Sequence, residues 1–535
     1  MNRYGSDTDE ILTSPEWQVE RLARPSPLFG ANGMQLGPDG RLFVAQAFGS
    51  QISAIDVESG ACEAIVPVGG PIVGPDDVAF DSRGVLYVTE VMSARVSARR
   101  PDGSTRVIAG EVPAANGITV NKDRIFMDEF RPGGRLFELF GDGRAPRLVA
   151  SDLPLPNALS VGPDECIYFP AVAAGEIWRV PIDGGTAVRF IDGLDHPTAV
   201  KFDSQGRLHT VQAGSGEVTR IDLPSRTKTS LAKVRPGIDN FAFSADGRLF
   251  LSHFIDGGVA EIVAGGVERT IVAPGFIGPM GIAIDSQGRI FVADGLSVAE
   301  ITDGGACTRV GHLLQPGFPG FVRGAAVSPG GILHLTNSAG DVVAYRPGEA
   351  ASPVASGLGE LYGLTILSDG TMLVADASEG RVLRVTSQGR VSVLASNLSR
   401  PKDVAVGEDG SVFVSESGKG RVVLVNGGVT PVLEGLGEPH GIAVSGGKLY
   451  VLDRARKALS ALTLDRRELK AVATGLPVGE ARGVVPRELP GLPGMIPGPI
   501  GAFAGLAADG NGRLYVAGDG DGSVVRVSPR GGRRL

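Results

Sequence analysis

Apolar and polar residues alternate in short runs along nearly the whole chain, and the runs are separated by Gly-containing turns. The pattern is plainest in PKDVAVGEDGSVFVSESGKGRVVLV at 401 to 425 and LYGLTILSDGTMLVADASEGRVLRV at 361 to 385. In each, an apolar strand leads to a D-G type turn and a second strand ends in an acidic residue. A Gly turn and a third alternating strand follow, and then a fourth such as RVSVLAS at 390 to 396. Four antiparallel strands per unit describe a propeller blade. Aligning the residue that opens each unit gives Asn32, Asp76, Asn116, Asn157, Thr198, Asp239, Met280, Arg323, Tyr362, Lys402, His440 and Ala504. The steps are mostly about 40 residues, the propeller period. The last step is long because residues 477 to 503 carry a Pro-rich insert.

Twelve blades in one ring would leave a wide open channel, whereas rings of about 4 to 8 blades close well. The expected fold is therefore all-β, with two tandem six-bladed β-propellers. The chain ends on a third strand, SVVRVSP at 523 to 529, and begins with a spare fourth-strand-like stretch, WQVERLAR at 17 to 24. If that stretch closes blade six, GVERTIVA at 266 to 273 is free to close blade twelve, and neither ring keeps an open edge; a five-plus-seven division, or an N-terminal strand that reaches across to the second ring, are the alternatives. This predicts a flexible segment at 1–16, a first propeller over 17–265 and a second over 266–535, with the insert 477–503 as a lid on the second funnel, or else as an ordered surface loop or an interdomain packing segment.

Composition narrows the function classes. A chain of 535 residues, 42% of them hydrophobic, has ample material for two cores, and 79 glycines without a collagen-like period suit many turns. The net charge of −8 comes without a basic stripe, which argues against nucleic-acid partners. Cys62, Cys166 and Cys307 are too few and too scattered for a disulfide framework or a thiolate metal site. No apolar run is long enough to span a bilayer and the start is polar, so the expectation is a cytoplasmic protein with a small-molecule substrate and no membrane partner.

In a propeller the opening slot of each blade and the residue ending its second strand both lie near one pore mouth. In the first ring these positions hold Asn32, Gln46, Asp76, Glu90, Asn116, Glu129, Asn157, Ala171, Thr198, Gln212, Asp239 and His253, with neither Lys nor Arg among them. Oxygen donors gathered without a counter-charge suit a hard divalent cation, calcium or magnesium, on some subset of Asp76, Glu90, Asn116, Glu129, Asn157 and Asp239. Asn and Asp beside Gly also suit turns. His253 is the one titratable nitrogen of this set and joins the catalytic candidates.

ANGITV at 115 to 120 and PNALSV at 156 to 161 resemble the third and fourth blades of the senescence marker protein (SMP-30)/gluconolactonase family. These are six-bladed propellers, related in blade pattern to NHL repeats, that bind a divalent cation in the pore and hydrolyse lactones or related esters. The resemblance implies metal-binding or substrate-facing roles for Asn116 and Asn157. It departs at Asn32 and Thr198, where the family carries Glu and Asp, so that Asp76, Glu90 or Asp239 would have to compensate.

The second ring differs, with Arg323, Tyr362, Lys402 and His440 among its slots and Asp453 ending the second strand of the His440 blade. Arg323 and Lys402 would hold a carboxylate or oxyanion while His440, oriented by Asp453, moves a proton. The same charges would also serve as structural ion pairs, and a histidine here is similar to propeller lyases such as virginiamycin B lyase, without their further histidine. The leading expectation is a gluconolactonase-like hydrolase of a small lactone, ester or activated carbonyl compound. The alternatives are a lyase or isomerase using His440, and a non-catalytic binding scaffold.

Overall fold

The computed structural model describes residues 3–4, 10–142, 144–492 and 495–531. It contains twelve antiparallel sheets built in blade order, each with four strands except blade eleven, which gains a short fifth, Leu12–Thr13. Blades one to six run from Met34 to Val272 and blades seven to twelve from Ile282 to Pro529. Among the described residues no helix is long and apolar enough to cross a membrane.

Each ring is closed by bonds between innermost strands. The hydroxyl one residue before the end of a second strand donates to the slot carbonyl of the next blade. Ser252 reaches Asn32 O at 2.6 Å from blade six to blade one, Thr336 reaches Tyr362 O at 2.6 Å, and Ser415 reaches His440 O at 2.7 Å. Gly505 N donates to Met280 O at 2.9 Å and joins blade twelve to blade seven. The inner strands approach so closely that a Cβ at Gly505 would lie 2.3 Å from Met280 O, and one at Gly441 2.4 Å from Leu506 N. The glycine after many of the slots is a packing requirement.

The edge strands differ from the expectation. Val267–Val272 pairs with Val259–Val263 and completes blade six, so the first ring ends at 272 rather than 265. Trp17–Ala23 pairs with Ser523–Pro529 and completes blade twelve. The N-terminal strand thus closes the second ring, and blade six closes on itself. Nor is 1–16 simply a loose tail. Leu12 and Thr13 pair with Thr474 and Ala473, and the buried Arg3 guanidinium donates to Ser26 O, Phe276 O and Ile277 O where the rings meet. Residues 1, 2 and 5–9 lie outside the described residues.

The two funnel mouths face each other across one apolar cluster. Val91, Phe130 and Phe254 of the first ring meet Leu296 and Phe321 of the second, together with Leu489, Leu492 and Phe503 of the insert. The insert folds as a hairpin, bridged at Leu489 to Ile500 and at Leu492 to Ile496, and lies between the mouths.

Removing residues 1–24 is expected to strip the outer strand from blade twelve and to speed amide exchange along Ser523–Pro529, while blade six keeps its protection. Hydrogen exchange checks this, and fast exchange at Val259–Val263 instead would restore the first-ring closure.

Candidate functional site

The slot residues point into the funnels because a β-bulge turns them. In the His440 blade, Pro439 pairs with Asp453 and the next partners are Ile442 and Val451, with a register shift between. The same shift follows Pro75, Ala115, Pro197, Ile238, Val322, Leu361 and Pro401. The extra residues leave the ladder and re-aim the slot side chain. The residue ending the second strand therefore lies opposite the residue before the slot, and the two do not meet.

That geometry divides the expected metal set. Asp76, Asn116, Asn157 and Asp239 line the first funnel with Asn32 and Thr198, around a cavity of about 40 Å³ capped by Phe48, Leu492 and Met495. Glu90 and Glu129 are elsewhere. Glu90 accepts from Val73 N at 2.7 Å, Arg95 at 2.8 Å and Ser97 at 2.5 Å. Burial acts against Glu129, but hydrogen bonds from Arg135 and Arg131 hold it below the usual carboxylate range. Both acids staple the loop or hairpin of their own blade. Gln46 and Gln212 do the same through Phe29 N and Asp195 N. His253 is also turned away; it is buried, and burial pushes it down to about 3. It does not line either funnel cavity.

Within the first funnel, burial and the neighbouring Asp77 raise Asp76 to about 8, and burial with Asp76 raises Asp239 well above the usual carboxylate value. Asn32, Asn157 and Thr198 spend a side-chain bond on Ala47 N, Ala158 N and Ile238 O, whereas Asn116 Oδ1 has no partner. A cation of the protein itself was not legible in the slots: Lys201, three residues into blade five, reaches across the pore to Met34 O at 2.8 Å and acts on Asp77 and Asp239. Among the described residues no three His, Cys, Asp or Glu side chains gather to hold a metal ion. The oxygens free for one are Asp76, Asp239 and Asn116.

The second funnel opens into a cavity of about 400 Å³. Its floor carries Tyr362 and Lys402, its rim Glu360, Arg400, Glu438 and Arg454, and its roof Leu489 and Ile500–Phe503 from the insert with Phe48 of blade one and Phe29 of the segment that leads into it. Lys402 is 2% exposed. Its Nζ sits 3.3 Å from the Tyr362 ring centroid and donates weakly to Ala502 O at 3.4 Å. Burial pushes it down to about 7, against the pull of Glu360. Arg323 also lies on the Tyr362 ring, 4.9 Å from its centroid, but its guanidinium is spent on Leu361 O and Pro499 O. The Tyr362 hydroxyl donates to Glu360.

His440 does not have the role expected of it. Its Nδ1 accepts from Ala504 N at 3.2 Å and its ring stacks on Phe503, so the insert covers it. Its Nε2 faces Glu438, 3.3 Å away, and burial pushes the imidazole down to about 4. Asp453 is bound to Gly437 N and Glu438 N and does not touch His440. The neutral imidazole with its proton on Nε2 is a fastener for the insert. Glu360, Arg400, Glu438 and Arg454 were not singled out from sequence. Three of the four are within two residues of a slot, which was the available signal.

No family model matches the chain, and no curated protein matches it. Solved structures similar to it include a streptogramin B lyase at 16% identity, covering 54% of this chain and 97% of that one with a TM-score of 0.39. Virginiamycin B lyase from Staphylococcus aureus is similar at 13%, with 62% and 94% covered and a TM-score of 0.26. The extracellular domain of a putative one-component system from B. thetaiotaomicron is similar at 9%, with 96% and 83% covered and a TM-score of 0.33. The propeller assignment rests on the strand pairing described above.

Because Asp76 and Asp239 are raised, the folded first funnel holds protons more tightly than the unfolded chain. The stability this contributes is complete below the ordinary carboxylate pKa near 4 and is lost as pH rises through about 8. In the presence of EDTA, so that no divalent cation offsets the charge, Asp76→Asn, which cannot charge, is expected to melt roughly 2–4 °C above the parent at pH 8, the equivalent of about 1 kcal/mol, and to lose that advantage at pH 4. Thermal melts at the two pH values check the sign.

Proposed function

We propose that the chain is a small-molecule enzyme of the lyase or isomerase kind, moving a proton on an activated carbonyl compound in the second-ring cavity. The observation that carries this reading is Lys402: a buried amine on the floor of a cavity of about 400 Å³, without a carboxylate partner among the described residues, held near neutral pKa. A group that titrates near neutrality can both take and return a proton, and a cavity of that size is typical for small ligands. Glu360, bonded by the Tyr362 hydroxyl, supplies a second proton carrier, and Arg400 at the rim offers charge to an anionic group.

The hydrolase reading implied by the SMP-30/gluconolactonase resemblance needs a lactone beside a pore cation. About 40 Å³ under an apolar cap holds an ion and its water, and is too small for a lactone. A calcium or magnesium ion on Asp76, Asp239 and Asn116 is therefore proposed as a ligand that stabilises the first ring by neutralising its carboxylates. EDTA is expected to lower the melting temperature at pH 8, calcium to restore it, and turnover that needs Lys402 to continue in the folded, chelated protein. Turnover lost on chelation while the fold persists would return the chemistry to the first ring.

Screening small carbonyl acids against the parent and Lys402→Met tests the site itself. The variant is expected to lose about 10²–10⁴ in kcat, the usual worth of a positioned proton-transfer group. His440→Gln is expected to loosen the insert and lower the melting temperature while keeping turnover within about tenfold. A Lys402→Met protein with full activity, or a ligand bound and returned unchanged by the parent, would make the cavity a binding site.

A further inference from the structure

The proposed function leaves open what Lys402 does chemically, and the walls around it narrow the choice. A lysine kept only as a charge normally meets a carboxylate or water. Lys402 has no carboxylate against it: among the described residues it forms no ion pair, and its Nζ has one weak bond to Ala502 O and the face of Tyr362. The seven lysines other than Lys402 and Lys201 lie on or near the surface, and Lys201 is tied to Met34 O inside the first ring. Among the described residues Lys402 is thus the one lysine that is both buried and open to a cavity large enough for a ligand.

The cavity's other walls describe the ligand. Phe29, Phe48, Phe321 and Ile277 present an apolar side facing the floor. Arg454 is committed to Glu438, Glu480 and Asp519 and has nothing left for a ligand. Arg400 is different: among the described residues its exposed side chain makes no hydrogen bond or ion pair, and it stands at the rim. An apolar or aromatic body with an anionic end and an electrophilic carbon between them matches this order of surfaces.

We propose that Lys402 forms an imine with an aldehyde or ketone substrate that carries an aromatic or apolar body and a carboxylate. This rests on the second-ring cavity being the reaction site, as proposed above, and goes further by making the amine a nucleophile. The nitrogen lone pair forms a bond to the carbonyl carbon as the C=O π pair moves to oxygen. A proton passes from nitrogen to that oxygen, which leaves as water after a second protonation, and C=N forms. The iminium then acidifies the adjacent C–H, whose proton goes to the Glu360 carboxylate while its electron pair becomes the enamine double bond. No external oxidant or reductant is required. Burial supports the first step, because an amine brought down to about 7 is largely neutral at mildly alkaline pH, and only the neutral amine attacks.

The test traps the bond and reads its position. The full-length protein is incubated at pH 8 with phenylpyruvate and sodium cyanoborohydride, and intact mass and peptide mapping follow. The expected result is one addition per chain, equal to the mass of phenylpyruvate less one oxygen atom. It should fall on the Lys402 peptide at least tenfold faster than on exposed lysines such as Lys228 and Lys233. Lys402→Arg should abolish the fast addition and leave slow surface labelling unchanged. Labelling of Lys402 no faster than of the surface lysines, or absent altogether, would overturn the imine. The parent's own label distribution decides this even if the variant folds poorly. Fast labelling without turnover of any carbonyl acid would uphold the imine and remove the proposed function. Lys402-dependent turnover with no trapped adduct would uphold the function and overturn the imine in favour of a base.

Discussion

The molecule depends on the apolar seam that holds the two propellers mouth to mouth. In the first ring the residue just after each second strand is apolar in all six blades: Ala47, Val91, Phe130, Val172, Ala213 and Phe254, all buried. On an isolated propeller these positions would face water. Burying each of the larger ones removes enough apolar surface to contribute about 1.5–3 kcal/mol. In the second ring the same position runs Gly295, Ser338, Ala377, Ser417, Arg454 and Asp519. The seam is therefore tight over blades seven and eight and becomes polar towards blades ten to twelve, where the cavity opens. One gradient of polarity around one ring both joins the propellers and leaves the chamber between them.

The blade count and the division into two rings were readable because each blade repeats the same turn and strand pattern. The identity of the closing strands was not, since WQVERLA and GVERTIV have nearly the same alternation and either fits an outer edge. Local connection decided it. Val263 turns directly into Val267 through Gly265 and Gly266, both at positive φ, and this hairpin forms without the long loop that recruiting the N-terminal strand into blade six would need. Among the described residues no strand follows the third of blade twelve, and the N-terminal strand takes that edge.

The site was legible in part for a similar reason. Slot residues do converge, as the repeat implied. The acids ending the second strands look like a second inner ring, yet each is read correctly only with the residues that follow. Arg stands five positions on in Glu90–Arg95, Asp376–Arg381 and Glu416–Arg421, and Ser or Thr stands seven on in Gln46–Ser53 and Gln212–Thr219. Those spacings pair residues across a hairpin, which marks the acids as blade staples. The bulge that separates Asp453 from His440 has no sequence signature of that kind, because it arises from how the first strand bends to bring its slot to the pore.

The two pores also show how the same framework supports opposite electrostatics. In the first, Asp76, Asp77 and Asp239 are enclosed with Lys201 as the protein's own counter-charge, under an apolar cap. Carboxylates there are held towards their protonated form, and the space that remains is ionic in size. In the second, the enclosed slots carry Arg323, Tyr362, Lys402 and His440, and the acids stand further out at Glu360 and Glu438. Dehydration acts on bases in the reverse sense, driving Lys402 and His440 towards their neutral forms. His440 spends its neutrality on accepting a bond from the insert. Lys402 gives the insert only the weak bond to Ala502 O and forms no ion pair among the described residues, so its buried amine faces the chamber.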